Sequence, residues 1–427
     1  MAKFIIEGAR PLHGQIRVSG CKNAVLPEIA ATTLTPELCR LENVPEVADV
    51  AVMFEILRHL GSKIKKIKPH VYELQTKEIV KTDLPAELVK KLRGSILLLG
   101  PLLARAGQVT MAYPGGDIVG RRPVGTHFDA LSALGVNIKV LDTEMISATG
   151  QVKGAEIYLT EPSVTATENV IMAATLASGQ TKIKFAACEP HVQDLCRFLI
   201  KMGAKIEGIG SQTILIEGTE KLSGATHRVI PECIEVGTFA AAAAATGGEI
   251  EILGIDCQDL DPILAILTKM GVEYKLSDDI LQIKKSPHLS AARIQVNPWP
   301  GLPTDLQPPL TVLATQAEGV SLIHEWMYER RLFYIDELLK MGANITLCDP
   351  HRALVYGPTK LSGTKIISPD IRAGIALVIA ALVAEGESEI DNVEIIDRGY
   401  EKIEERLRNL GAQIRRVDGG EKGNADG

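Results

Sequence analysis

Residues 111–126, Met-Ala-Tyr-Pro-Gly-Gly-Asp-Ile-Val-Gly-Arg-Arg-Pro-Val-Gly-Thr, set one acid, Asp117, and two adjacent guanidiniums, Arg121 and Arg122, among four glycines and two prolines. Gly and Pro at this density favour a shaped turn or mobile loop over a regular element. Glycines let a backbone approach a ligand, and arginines hold phosphate or carboxylate through paired N–H donors. The chemistry on offer is anion binding, with a carboxyl beside it that can move a proton. A solvated surface loop would have the same composition, and the loop alone does not decide. A further cation, Lys22, lies in Ile16-Arg-Val-Ser-Gly-Cys-Lys-Asn-Ala-Val-Leu-Pro27, which reads as a strand running into a helix. A lysine there can put its charge beside helix N-terminal amides, which also suits an anion. Taken singly, it reads as a surface lysine.

These groups need elements to position them. Residues 107–113 read as a strand leading into the loop, and residues 127–134 as a helix closed by Gly135. One phrase recurs six times along the chain: His59-Leu-Gly-Ser-Lys-Ile64, Ala133-Leu-Gly-Val-Asn-Ile138, Lys201-Met-Gly-Ala-Lys-Ile206, Lys269-Met-Gly-Val-Glu-Tyr274, Lys340-Met-Gly-Ala-Asn-Ile345 and Asn409-Leu-Gly-Ala-Gln-Ile414. Its glycines, at 61, 135, 203, 271, 342 and 411, stand 68 to 74 residues apart. Each copy reads as a helix that ends at glycine and enters an alternating strand. A second phrase keeps rough phase with it, as in Leu12-His-Gly-Gln-Ile16, Val152-Lys-Gly-Ala-Glu-Ile157, Leu222-Ser-Gly-Ala-Thr226 and Leu361-Ser-Gly-Thr-Lys-Ile366. Such a period is long for a solenoid and suits a unit of about four short strands and two helices. Residues 170–177, 238–245 and 373–384 are almost wholly apolar, and helices apolar all round belong inside. The expectation is α/β units with one helix buried and one exposed. Six are too many for one core, so two domains of three repeats follow.

At 427 residues, with 53 acidic against 46 basic side chains, the chain lacks the basic footprint of a general nucleic-acid binder. A local basic site for an anionic small molecule remains open. Aromatic residues make up only 4 %, so the core must rest on Ala, Val, Leu and Ile. The seven cysteines (21, 39, 188, 196, 233, 257 and 348) are odd in number and form no C-x-x-C, which points to reduced thiols rather than a disulfide frame or zinc site. The opening Met-Ala-Lys-Phe-Ile-Ile-Glu-Gly is charged too soon for a signal peptide. The apolar run 373–384 is too short to span a bilayer. A soluble cytoplasmic protein is expected.

Several motifs then occur in order. They are Ser-Gly-x-Lys22-Asn23-Ala, Pro114-Gly-Gly-Asp-x-x-Gly-x-Arg-Pro123, Ser163-Val-x-Ala-Thr-Glu-Asn169 and His227-Arg-Val-Ile-Pro231. They continue with Gly301-Leu-Pro-Thr-Asp305-Leu-Gln307, Asp370-Ile-Arg372-Ala and Ile396-Asp-Arg398-Gly-Tyr-Glu401. Together these resemble the enolpyruvyl transferases that commit UDP-N-acetylglucosamine to peptidoglycan synthesis, over residues 3–417. The resemblance implies a two-domain inside-out α/β barrel with six βαβαββ-type repeats, three per domain, and the helices buried. It implies that the chain crosses between domains twice: residues 1–21 plus 230–419 form one domain, residues 22–229 the other, with hinges near Gly20–Lys22 and Val229–Pro231. The tail, residues 420–427, is Gly- and charge-rich and reads as disordered.

The implied reaction moves the enolpyruvyl group of phosphoenolpyruvate to the 3-hydroxyl of UDP-N-acetylglucosamine by addition and elimination, releasing phosphate. It needs a base, an acid and cations, but no metal or redox cofactor. By position, Lys22, Arg122 and Arg398 match the phosphoenolpyruvate phosphate contacts, Arg331 and Arg372 its carboxylate contacts, and Arg93 another cation of the cleft. Asn23 matches a contact to the sugar hydroxyls. Asp305 matches the residue nearest the sugar hydroxyl and is the candidate base, although its Pro-Thr-Asp context also fits a helix cap. Asp370 matches a residue that orients Arg372 or the intermediate, or that caps a helix. Arg122, Pro123, Val124, Ser163 and Val164 match the nucleotide end, and Arg93 matches a contact to UDP-N-acetylglucosamine. The loop 111–126 matches the family's mobile lid, where most members carry cysteine at the position of Asp117. That cysteine is assigned to proton delivery and is alkylated by fosfomycin, so Asp117 implies an acid without that sensitivity. Gly125, Glu161 and Thr165 depart from the family pattern, where acid, lysine and glycine are usual. Competing readings are the sister enzyme acting on shikimate 3-phosphate, a catalytically silent sugar-nucleotide sensor, and a structural repeat scaffold.

Overall fold

The computed structural model describes residues 2–116, 120, 122–141 and 144–418. Asp117 and Arg121 of the loop and the tail 420–427 lie outside the described residues. Contacts divide the chain into two compact units. Residues 2–19 and 231–418 form a terminal unit, and residues 20–116 with 122–230 form a central unit.

The repeat is visible as six sheets, three in each unit. In the terminal unit the strand orders are 13–17/249–253/280–283/274–277, 293–295/319–324/352–357/344–349 and 365–367/387–391/3–7/413–417. Within each, the first pair is parallel and the rest antiparallel. The central unit repeats this plan in 156–158/180–184/213–217/205–207 and 226–228/39–42/71–75/63–68. Its third sheet, 108–112/145–149/137–140, has three strands, and a lone parallel bridge between Asp83 and Thr110 stands in the place of the fourth. The second recurring phrase supplies the parallel outer strands 13–17, 156–158, 226–228 and 365–367. Among the described residues the sheets stay open and separate, and no closed barrel forms.

Parallel strands need a crossover, and here the crossovers are the buried helices. They are α1 (Lys22–Ala31), α2 (Leu99–Ala106), α3 (Val164–Ala174), α4 (Cys233–Ala245), α5 (Gln307–Thr315) and α6 (Ile371–Val383). α4, α5 and α6 pack against one another and are buried on all faces. That is the solution for sequences with no polar face, such as Ala240–Ala245. Where α2 meets α3, a Cβ on Gly100 would stand 2.3 Å from the Asn169 carbonyl oxygen, so only glycine allows this approach. The six recurrent glycines all adopt φ between +75° and +105°, the left-handed conformation that ends a helix.

Chain order and pairing part company twice. Strand 13–17 leads into α1 but pairs with 249–253, while strand 226–228 leads into α4 but pairs with 39–42. The two βαβ crossovers therefore exchange first strands, at residues 19–20 and 230–231. The helix after the glycine-rich loop starts at Gly125, two residues before the expected start, and Met111 and Ala112 belong to the preceding strand. The loop proper is 113–124.

Candidate active site

In the terminal unit, Asp305 lies on the 3-10 turn Thr304–Leu306 that leads into α5. Pro303 takes the cap position, so Asp305 is not a helix-cap acid. Its carboxylate is shared between two guanidiniums instead. Oδ1 accepts from Arg331 Nη2, and Oδ2 accepts from Arg372 Nε at 2.8 Å. Arg331 and Arg372 are only 4 % and 3 % exposed. Burial works against both charges, but Asp305 and the neighbouring acids outweigh it, and both guanidiniums stay charged. Arg372 also lies 5.3 Å over the Tyr400 ring and 4.0 Å from Glu232 Oε2.

Asp370 is the N-cap of α6. Its Oδ1 accepts from the backbone N–H of Arg372 (2.8 Å) and Ala373 (2.9 Å). The two readings open in the sequence coincide, because capping the helix also fixes the backbone of Arg372. Arg398 ends the 3-10 segment Val393–Arg398, which packs on α6, and is half-buried. The residue before it, Asp397, is held by both arms of Arg416 (2.9 and 2.7 Å).

Two buried acids escaped the sequence reading. Glu325 accepts from Thr304 Oγ1 at 2.5 Å, which fixes the turn carrying Asp305, and burial raises its pKa. Glu232 caps α4 through Ile234 N–H at 3.2 Å, and burial raises its pKa too. An acid just before an all-apolar helix was the available signal for Glu232. Nothing local marked Glu325.

In the central unit, Lys22 is the first residue of α1 and reaches Asp49 Oδ2 at 3.3 Å. Asn23 follows it, half-buried. Arg93, expected as a cation of the cleft, clamps the loop. It donates from Nη2 to the Arg122 carbonyl at 2.5 Å and from Nη1 to the Pro114 carbonyl at 3.4 Å, joining the two ends of 113–124. A Cβ on Gly116, at φ +114°, would stand 2.8 Å from Arg93 Cβ and 3.3 Å from Arg122 Nη2.

The departures from the family pattern meet in one place. Thr126 Oγ1 donates to Glu161 Oε1 at 3.0 Å, and His127 Nε2 is 3.0 Å from Thr165 Oγ1. The other ring nitrogen of His127 is 3.0 Å from Asn169 Nδ2, a donor, so the ring is neutral with its proton on Nε2. Burial, helped by the charge of Arg93, pulls its pKa down to about 3, in agreement. Gly125 has open space where a Cβ would be. Val124 is buried at the start of the helix Gly125–Ala133. Pro123 is exposed, while Ser163 takes the N-cap position of α3 and Val164 is its first residue. Among the described residues, Glu28, Asp194 and His227 form the group whose donor atoms lie close enough for a metal ion. No helix of the described residues is long and apolar enough to cross a membrane.

Comparison with known proteins agrees with this geometry. The family model of EPSP synthase (3-phosphoshikimate 1-carboxyvinyltransferase) matches residues 6–407. The UDP-N-acetylglucosamine 1-carboxyvinyltransferase of Treponema denticola is 46% identical over 422 residues, covering 97% of this chain and 99% of the relative. The protein of the same name from Borreliella burgdorferi is 45% identical over 425 residues, 98% and 99% of the two chains. The crystal structure of the enolpyruvyl transferase NikO from Streptomyces tendae superposes with a TM-score of 0.89 at 26% identity, covering 97% of this chain and 99% of that one. The fold is thus that of the two-domain, inside-out enolpyruvyl transferases. Within that class the chain belongs to the UDP-N-acetylglucosamine 1-carboxyvinyltransferase family, and it is an enzyme of the transferase type.

Proposed function

We propose that this enzyme transfers the enolpyruvyl group of phosphoenolpyruvate to the 3-hydroxyl of UDP-N-acetylglucosamine, releasing phosphate, as the committing step of peptidoglycan synthesis. The near-complete match at 46% identity to the Treponema denticola protein carries this reading. The two units would serve as its two domains. Lys22, Asn23, Arg122 and Arg398 hold the phosphate of phosphoenolpyruvate, and Arg331 and Arg372 its carboxylate. Asn23, Pro123, Val124, Ser163, Val164, Asp305 and Asp370 contact the sugar nucleotide. Arg93 acts on it through the loop it clamps.

Asp305 is the base that takes the proton of the sugar 3-hydroxyl. Both of its oxygens are engaged by guanidiniums. A substrate carboxylate competing for Arg331 and Arg372 would release one oxygen for the hydroxyl. The base would then become available only when phosphoenolpyruvate is bound, which suppresses idle proton transfer. In the addition the sugar oxygen bonds to C2 of phosphoenolpyruvate while Asp117 gives a proton to the methylene carbon, forming a tetrahedral ketal with a methyl group. Elimination then removes one proton from that methyl, restores the C=CH2 bond and expels phosphate against Lys22, Arg122 and Arg398. A carboxylic acid is not alkylated as a thiolate is, so the enzyme is insensitive to fosfomycin. Asp117→Cys should keep turnover and gain sensitivity, and continued resistance would remove this explanation. Full turnover by Asp117→Asn would remove the acid role.

The test is phosphate release from phosphoenolpyruvate with UDP-N-acetylglucosamine or shikimate 3-phosphate as acceptor. Release with the sugar nucleotide alone is expected. Release with shikimate 3-phosphate would reassign the acceptor. Sugar-nucleotide binding without release would favour a silent sensor.

A further inference from the structure

Glu28, Asp194 and His227 are buried in the central unit, with their donor atoms within 4.8 Å of one another. His227 stands on the strand Thr226–Arg228, with Nε2 3.1 Å from Asp194 Oδ1 and 3.4 Å from Glu28 Oε1. Lys201 Nζ is 3.0 Å from His227 Nδ1. An ammonium only donates, so in the neutral ring Nδ1 accepts and the proton sits on Nε2. Against its burial, Asp194 and Glu28 raise the His227 pKa to about 9, and in the charged ring too Nε2 carries a proton, which it gives to Asp194. With that proton in place Nε2 has no lone pair for a metal ion, and the role of the group must be sought in its hydrogen bonds.

Those bonds lead to one place. Asp194 Oδ2 accepts from Ile230 N–H at 3.0 Å. The Ile230 carbonyl accepts from Cys21 N–H at 2.8 Å. Cys21 is the N-cap of α1, and Lys22 is the first residue of that helix. Glu28 lies further along the same helix. The cluster therefore grips α1 at its start, through Ile230 and Cys21, while Glu28, further along the helix, lies with Oε1 3.4 Å from His227 Nε2. The grip falls where the chain has just passed from one unit to the other, at residues 19–20 and 230–231.

We propose that Asp194 and His227 are positioning residues for Lys22, acting through Ile230 and Cys21 on the start of α1. A long, flexible side chain serves as a phosphate ligand only when its base is fixed, and this chain of bonds supplies that fixture.

The inference rests on the enolpyruvyl-transfer reading for its kinetic consequence, but not for its structural one. Two readouts keep the two apart. The first is amide hydrogen exchange over residues 21–26. His227→Leu fills the volume but cannot donate to Asp194; His227→Gln can. Exchange should speed by about tenfold in His227→Leu and return toward wild type in His227→Gln. Asp194→Asn has one acceptor oxygen for two donors and should resemble His227→Leu. The second readout is phosphate release at pH 7. The leucine and asparagine variants should raise KM for phosphoenolpyruvate by about tenfold and leave KM for UDP-N-acetylglucosamine within about twofold. Unchanged exchange at 21–26 in variants that keep their melting temperature would overturn the inference. So would equal effects of leucine and glutamine, or a stoichiometric metal ion in the purified protein that either variant loses. If the wild type releases no phosphate, the enolpyruvyl reading falls, and the exchange data still decide the positioning.

Discussion

The two units differ in which ionisable groups they bury: the terminal unit buries a pair of guanidiniums around one carboxylate, the central unit buries carboxyls and histidines. In the terminal unit, Arg331 and Arg372 are buried as charges, matched by Asp305 between them and by further acids around them. In the central unit three interior groups are neutral, while, against their burial, Asp194 is held low by His227 and His227 is raised to about 9 by Asp194 and Glu28, so that the two form a charged pair. Burial pushes the Glu28 carboxyl up to about 8 against the pull of its hydrogen bond to His227, Glu168 is raised well above its usual range, and His127 is depressed to about 3. Pairing preserves charge, which a site for a small dianion requires. Neutralisation preserves only shape and hydrogen bonding, which suffices for groups that hold other groups in place. On the proposed reading, the buried guanidiniums hold the substrate anion, and the buried carboxyls and histidines of the central unit are supports.

The largest effect should come from breaking a pair. Asp305→Ala leaves two buried guanidiniums without their shared partner and should cost about 3–5 kcal/mol of stability in urea unfolding. Asp305→Ala combined with Arg372→Ala should cost less than the sum of the single changes, because the two share one interaction. Additive costs would mean that the pair is not a unit.

Neutralised groups should instead show as pH dependence. Folded Glu28 keeps its proton to about pH 8, whereas the ordinary carboxyl value is 4.5. Stability present below 4.5 is therefore lost as pH rises toward about 8, by up to about 1.4 kcal/mol per pH unit. Glu28→Gln should remove that slope, and an unchanged slope would contradict the neutral carboxyl. His127 has the opposite sign. Its folded value of about 3 lies below the ordinary 6.5, so stability falls as pH drops from 6.5 toward 3, and His127→Gln should flatten that limb.

The smallest effect on stability is expected at Arg93, whose partners are the carbonyls of Pro114 and Arg122. Arg93→Ala should cost about 1 kcal/mol or less in unfolding while lowering kcat/KM by about tenfold, through a loosened loop. A large loss of stability with unchanged kinetics would make Arg93 purely structural.

The repeat was legible in the sequence because a helix ending in the left-handed conformation asks for glycine, and the same phrase returned at all six positions. The buried helices were legible because they have no polar face. Asp305 and Arg372 could be named from their motifs and Arg331 from its position, but not their union: the partners of Asp305 lie 26 and 67 residues along the chain. The clamp made by Arg93 was hidden for a different reason, since backbone carbonyls carry no sequence signature. Glu28 and the partners of His227, a residue already in a motif, were hidden because a buried polar residue looks, in one dimension, like an exposed one.

The most direct test is the turnover of Asp305→Asn at saturating phosphoenolpyruvate and UDP-N-acetylglucosamine, with the affinity for both measured by calorimetry. The amide keeps the size of the carboxylate and one acceptor for the guanidiniums, but it cannot take the hydroxyl proton. Both substrates should still bind, and turnover should fall by a factor on the order of 10²–10⁴. Turnover within tenfold of wild type, with binding intact, would contradict the assignment of Asp305 as the base.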